Sequence, residues 1–210
     1  MNNLIIIPAR KNSERLKNKN ILKIKNLTLV EHSINFAKKV ISNSNILVST
    51  DSEKIRSISL KKKVLCPWLR PSYLSKSSSS TDAVVLHALK WYEKKYQKVE
   101  FVIILQPTSP FRTKKSYYDC ISLANKYPKS TIVTFQKKKI ISFSFLKSKI
   151  KLKKIYQFFP NGNIFIISSK KIKKNKKIYS GSIKSLIQKN KKENIDIDNE
   201  RDFRLAKKMV

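Results

Sequence analysis

The run Leu4-Ile5-Ile6-Ile7 is the feature that most limits how this chain can fold. An unbroken apolar stretch has no face to give to water, so it reads as a strand covered on both sides. Pro8 ends it, and a long polar loop follows that carries Arg10, Ser13, Lys19 and Asn20. A buried strand that releases a cationic loop at its carboxyl end, ahead of a helix, is how α/β proteins seize phosphates. Backbone N–H groups, Arg and Lys converge there on the anion. The loop contains no glycine, so neither G-x-x-x-x-G-K-[ST] nor G-x-G-x-x-G is present.

The rest of the chain repeats the alternation. Buried strands are expected at 46–49, 101–105, 131–135 and 163–167, with short ones at 64–66 and 195–198. Helical spacing of apolar residues predicts helices over 29–41, 53–60, 81–96, 115–126 and 200–209. Asp51 or Ser52, Thr81-Asp82 and Asn199 are the expected caps of three of them. Strands alternating with helices imply a largely parallel sheet with crossover helices. Residues 137–156 mix Lys with Ile and Phe without a clean period, and 168–192 are lysine-rich and ambiguous.

Composition narrows the partners. At 210 residues and 40% hydrophobic, the chain is long and apolar enough for one domain with a real core. Its net charge is +34, but nearly all the cations are Lys, and Lys, Asn and Ile are inflated together while Gly falls to 2. These codons are A/T-rich, so compositional drift explains the charge. Polyanion binding is the competing reading, but no RNP-like aromatic motif or zinc spacing supports a nucleic-acid module. No specific nucleic-acid partner is expected. Cys66 and Cys120 stand alone, as neutral thiols do in a reducing cytosol. The longest apolar runs are strand-length and no secretory signal is visible. A soluble, cytoplasmic protein without a membrane partner is therefore expected.

Ligands of such sheets bind outside the carboxyl ends of the strands. Four polar clusters fall there: the Arg10 to Asn20 loop, Arg70, Gln106 with Thr108 and Ser109, and Asp196 with Asp198. Acids are scarce here, 13 in all, yet Asp196, Asp198, Glu200 and Asp202 are grouped. Two carboxylates at i and i+2 on a strand point the same way. That suits a hard divalent cation such as Mg²⁺, shared with phosphate oxygens.

In this order the clusters resemble the acylneuraminate cytidylyltransferases and their relatives acting on legionaminic and pseudaminic acids. The family opening A-R-x-x-S-x-x-x-x-x-K-N appears as Ala9-Arg10, Ser13 and Lys19-Asn20. S-T-D is Ser49 to Asp51, and R-P with a Ser-rich loop and H-A-L helix runs from Arg70 to Leu89. L-Q-P-T-S-P-x-R-T is Leu105 to Thr113, P-N-G-x-I-F-I is Pro160 to Ile166, and I-D-I-D is Ile195 to Asp198. The resemblance implies a three-layer, Rossmann-like nucleotidyltransferase fold with a mostly parallel mixed sheet. It implies a single domain over 1–210 with a dimerisation and sugar-closing excursion at about 137–192, hence a homodimer.

By the same resemblance, Arg10, Ser13, Lys19 and Asn20 would hold the phosphates of CTP, with Arg10 and Lys19 catalytic. Arg70 and Thr81 would contact the nucleotide. Gln106, Thr108 and Lys147 would position an acidic nine-carbon keto sugar. Asp198 would bind Mg²⁺, and Asp196 would bind a second metal or help deprotonate the anomeric hydroxyl. The implied reaction moves CMP from CTP to that sugar and releases pyrophosphate. The alternatives are a cytidylyltransferase for another keto-acid sugar such as 3-deoxy-octulosonate, and a drifted, inactive basic binding or scaffold protein. His32 and His87, on helices, are expected to pack or cap.

Overall fold

The computed structural model describes residues 2–146 and 149–210, leaving out the side chains of 142–153. Six strands form one sheet: β1 (Asn3–Pro8), β4 (Ile46–Ser49), β5 (Phe101–Ile104), β6 (Thr131–Leu146), β7 (Lys149–Ser168) and β8 (Ile183–Gln188). The pair β2 (Lys23–Ile24) and β3 (Leu27–Thr28) makes a separate small hairpin. Strand order in the main sheet is β4-β1-β5-β7-β6-β8. β7 runs antiparallel to both neighbours, β5 and β6, and the other pairings are parallel. The mostly parallel mixed α/β sheet expected from the sequence is the one that forms.

Continuous apolar runs work here because each strand has helices on both faces. Ile5, Ile7, Ile46, Val48 and Ile103 are buried together with Val30 and Ile34 of α1 (Leu29–Ala37), Ile55 of α2 (Glu53–Lys61) and Cys120 of α4 (Lys114–Lys126). The alternate residues Leu4, Ile6, Leu47, Val102 and Ile104 pack against Val85, Ala88 and Leu89 of α3 (Thr81–Lys95) and Ile172 of α5 (Ser169–Asn175). A third cluster joins Ile195 and Ile197 to Phe203 and Ala206 of α6 (Glu200–Lys208). It anchors the Asp196–Asp198 segment beside the loop that follows β1.

Several local expectations change. The helix predicted to reach 41 ends as α1 at Ala37. The strand at 64–66 reduces to a single bridge between Leu47 and Leu65. Residues 195–198 join no strand; Ile197 N–H donates to the Thr108 carbonyl at 2.8 Å, which holds them extended. The cap of α3 is Ser80 rather than Thr81-Asp82, whereas Ser52 and Asn199 cap α2 and α6. The unperiodic stretch after Gln136 is a hairpin. β8 pairs with β6 only from Thr131 to Gln136, so Lys137–Leu146 and Lys149–Phe158 pair with each other alone and leave the sheet as a two-stranded arm. Of the stretch 137–192, the remainder returns to the sheet through the second half of β7, α5 and β8.

Candidate active site

At the carboxyl ends of β1, β4 and β5, one cavity of about 380 Å³ gathers the sequence clusters. Arg10, Ser13, Lys19 and Asn20 line one side, and Arg70 and Thr81 another. Gln106, Thr108, Asp196 and Asp198 close it. Every residue given a role by the resemblance reaches this cavity except Lys147, which lies outside the described residues. Ser109 of the Gln106 cluster is instead buried and donates to the Asn161 carbonyl at 3.0 Å.

Their local roles differ. Lys19 is buried, and its Nζ meets Asp198 Oδ1 at 3.0 Å. Asn20 turns inward, and its Nδ2 donates to the Arg10 carbonyl at 2.8 Å, so it shapes the loop. Arg10 Nη1 reaches the Ser77 carbonyl at 3.4 Å across the cavity mouth. Arg70 is buried, and its guanidinium is spent on Ser49 Oγ, the Ser49 carbonyl and the Leu74 carbonyl. Its present geometry is that of a brace for the end of β4. Asp196 Oδ1 is buried without a hydrogen-bond partner. Burial lifts the Asp196 carboxyl above its ordinary range, and Asp198 adds to this, against a hydrogen bond from Thr108 and the charge of Lys19. An orphaned carboxylate oxygen next to a second carboxylate at a phosphate-sized cationic cavity fits a hard divalent cation. Among the described residues no cluster of three or more metal-type side chains occurs, so phosphate or water oxygens would complete the shell.

Behind the cavity, β7 bulges. Val133 pairs with Phe165 but Phe135 pairs with Pro160, so residues 161–164 lie opposite Thr134 alone. The bulge presents Gly162, at φ +70°, to the site. A Cβ there would sit 2.8 Å from Gln106 Oε1 and 3.6 Å from Asp196 Oδ2.

Residues 4–207 match the family described as cytidylyltransferase. The chain belongs to that family. It is similar to a CMP-N,N'-diacetyllegionaminic acid synthase of Legionella pneumophila, 29% identical over 221 residues, covering 99% of this chain and 95% of that one. An N-acylneuraminate cytidylyltransferase of Escherichia coli is 31% identical over 218 residues, covering 97% of this chain and 51% of its own length. Among solved structures, a CMP:2-keto-3-deoxy-manno-octonic acid synthetase complexed with CTP matches with a TM-score of 0.69 at 12% identity. It covers 100% of this chain and 98% of that one, which supports the fold. The chain is thus a nucleotidyltransferase of the acylneuraminate cytidylyltransferase-like family.

In this cytidylyltransferase a further residue, unassigned from sequence, ties the site together. Arg112 is enclosed beneath the bulge. Its Nε donates to the Asn163 carbonyl at 2.8 Å, Nη2 to the Gln106 carbonyl at 2.6 Å and Nη1 to Ser33 Oγ at 3.1 Å. Burial pulls its guanidinium down to about 9, with Asp196 and Glu193 opposing, so it stays charged at neutral pH. Glu193, also buried, accepts from Thr113 Oγ1 at 2.9 Å and Gln188 Nε2 at 3.1 Å. The signal was present in L-Q-P-T-S-P-x-R-T, where Arg112 follows the polar residues by a fixed interval. His32 and His87 pack, edge-on to Phe111 and Trp68 respectively.

Proposed function

We propose that this cytidylyltransferase transfers CMP from CTP to a nonulosonic acid, a nine-carbon acidic keto sugar, with Mg²⁺ as cofactor. The observation that carries the reading is a pair of adjoining cavities. The first holds Arg10, Lys19, Arg70 and Lys76. The second, also about 380 Å³, holds no Lys or Arg among its lining residues; Ile104, Pro160, Phe165, Ile178 and Tyr179 supply its apolar walls. The two share Thr81, Gln106 and Asp196. A triphosphate belongs in the cationic chamber and the acyl-bearing part of the sugar in the other, whose acids are Asp82 and Asp196. The sugar's own carboxylate therefore lies towards Gln106 and Thr108 on the cationic side, and the reacting atoms meet beside Asp196. The names of the Legionella and E. coli relatives point to the same class of acceptor.

Arg10, Ser13 and Lys19 hold the phosphates, and Lys19 offsets charge that builds as the pyrophosphate leaves. Gln106 and Thr108 orient the sugar. Asp198, with Asp196 beside it, would hold Mg²⁺, which would polarise the phosphate oxygens. In place of a share in that ion, Asp196 would accept the proton of the anomeric hydroxyl, a role that its burial-raised proton affinity favours. We further propose that a second copy covers the arm, whose Ile141, Tyr156 and Phe158 are exposed, so that each 1–210 chain is a single domain of a cytoplasmic homodimer. Among the described residues no helix is long and apolar enough to cross a membrane.

The test is pyrophosphate release from CTP and Mg²⁺ with separate acceptors: N-acetylneuraminate, diacetyllegionaminate, pseudaminate and 3-deoxy-octulosonate. Turnover with a nine-carbon acid is expected. Turnover with the eight-carbon acid alone would overturn the acceptor class.

A further inference from the structure

The Asp198 carboxylate carries two cations of different character. Lys19 Nζ lies 3.0 Å from Oδ1 and its side chain is 11% exposed. Arg15 Nη2 lies 2.9 Å from Oδ2 and its side chain is 69% exposed. Among the described residues Asp198 is the one side-chain partner of each, so burial is what separates them. Lys19 is enclosed, whereas Arg15 is long and hydrated, and exposed pairs of that kind are worth little and break easily. Immediately beside them, Asp196 Oδ1 is buried without a partner. A divalent ion shared by Asp196 and Asp198 therefore gains an unused oxygen and must compete for Asp198 Oδ2 against the more weakly held cation.

We infer that Arg15 is a stand-in counter-ion: it holds Asp198 while the site is empty, yields that oxygen to the divalent ion, and moves its guanidinium onto the β- and γ-phosphates of CTP. The inference rests on the reading that the cationic cavity takes CTP. Arg15 is not itself a lining residue of that cavity, but its Nη2 sits on Asp198, which is, and it shares a loop with Arg10, Ser13 and Lys19, which also line it. A planar guanidinium released from a carboxylate is matched in shape and charge to a phosphate, which it grips with two parallel N–H groups. The exchange leaves no charge without a partner: Asp198 is paired with Lys19 and Arg15 before it and with Lys19 and the ion after it, while Arg15 meets the negative charge of the outer phosphates.

The inference demands two effects of opposite sign from one substitution, neither of which needs the acceptor sugar. In Arg15→Gln, Mn²⁺ binding to the nucleotide-free protein, followed by the paramagnetic resonance of free Mn²⁺, tightens by about threefold or more because a competitor is gone. In the same variant, calorimetric CTP affinity with Mg²⁺ falls about tenfold, the worth of a charge-assisted contact. CMP affinity stays within about twofold because CMP lacks the two outer phosphates. Arg15→Lys recovers part of the CTP affinity. Lys17→Gln, an exposed cation of the same loop, leaves Mn²⁺ affinity unchanged and so separates local competition from the loss of one charge in a +34 chain. Unchanged or weaker Mn²⁺ binding in Arg15→Gln, or equal losses for CTP and CMP, overturns the inference. A wild-type protein that binds CMP but gains nothing from the outer phosphates would overturn it together with the reading of the cavity. Tight CTP binding without turnover of any sugar would overturn only the acceptor.

Discussion

The two halves of the sheet are built on different principles. In β4, β1 and β5 every residue from Ile46 to Val48, Leu4 to Ile7 and Phe101 to Ile104 is buried, and register follows from parallel pairing under helices on both faces. In the other half β6 and β7 are long and lysine-bearing, β7 runs antiparallel to its neighbours, and a bulge breaks the register at Thr134. The first half supplies stability and a rigid edge from which the cationic loop of Arg10 to Asn20 leaves. The second supplies shape: the bulge carries Gly162 to the site, and the arm reaches away from it. Core is concentrated where the cationic loop is anchored, and irregularity where the bulge borders the second cavity.

The largest effect that bears on this contrast comes from the first half. Ile103→Ala empties a fully enclosed position between two strands and two layers of helices. It is expected to cost about 2–5 kcal/mol in urea unfolding. A cost below about 1 kcal/mol would mean that the parallel half is not the stabilising one. Next comes chemistry at the edge of that half. Lys19→Ala is expected to lower kcat about a hundredfold, some 3 kcal/mol, while changing the KM for CTP much less. A variant that raises only KM would make Lys19 a ground-state binder.

This division also explains what could be read from the sequence. β1, β4, β5 and their helices were legible because burial on both faces leaves an unbroken apolar run, and caps such as Ser52 and Asn199 mark the ends. The Arg10 loop and the Gln106 cluster were legible because each follows such a run. The arm was not. A two-stranded ribbon wet on its lysine-bearing positions needs no regular alternation, and its pairing is set by long-range contacts that no local pattern records. Arg112 was overlooked as a site residue because its role is to donate to backbone carbonyls of Gln106 and Asn163, which carry no side-chain signature. The 195–198 segment was read as a strand from its alternation, yet its one backbone bond to Thr108 places it beside the sheet rather than in it.

At the seam between the halves, Asp196 trades stability for function. Burial raises its proton affinity in the folded state, so the fold holds a proton that the unfolded chain has already released. Stability therefore falls as pH rises from the ordinary carboxylate range through the raised value, and is regained on acidification. Asp196→Asn removes this dependence. In metal-free buffer the variant is expected to unfold at a higher temperature than the wild type at about pH 8, with the gap closing towards about pH 4, while turnover is lost. Equal gaps at both ends would show that the carboxylate is solvated in the fold.

The smallest effect tests the arm. Ile141 lies on the part of β6 that has left β8 behind, pairs with Lys154, and is 55% exposed. Nothing of the sheet's core rests on it, so Ile141→Ser is expected to change unfolding free energy by no more than about 0.5 kcal/mol in dilute solution. The comparison with Ile103 is direct, because both substitutions strike a β-branched residue on a strand of the same sheet. Concentration sharpens it. If a second copy covers the arm, the wild type gains stability as protein concentration rises and Ile141→Ser gains less, since association stabilises only the folded form. Unfolding curves at two concentrations, paired with light scattering, read this out. A large loss for Ile141→Ser in the dilute monomer would instead place the arm among the stabilising elements and erase the distinction between the halves.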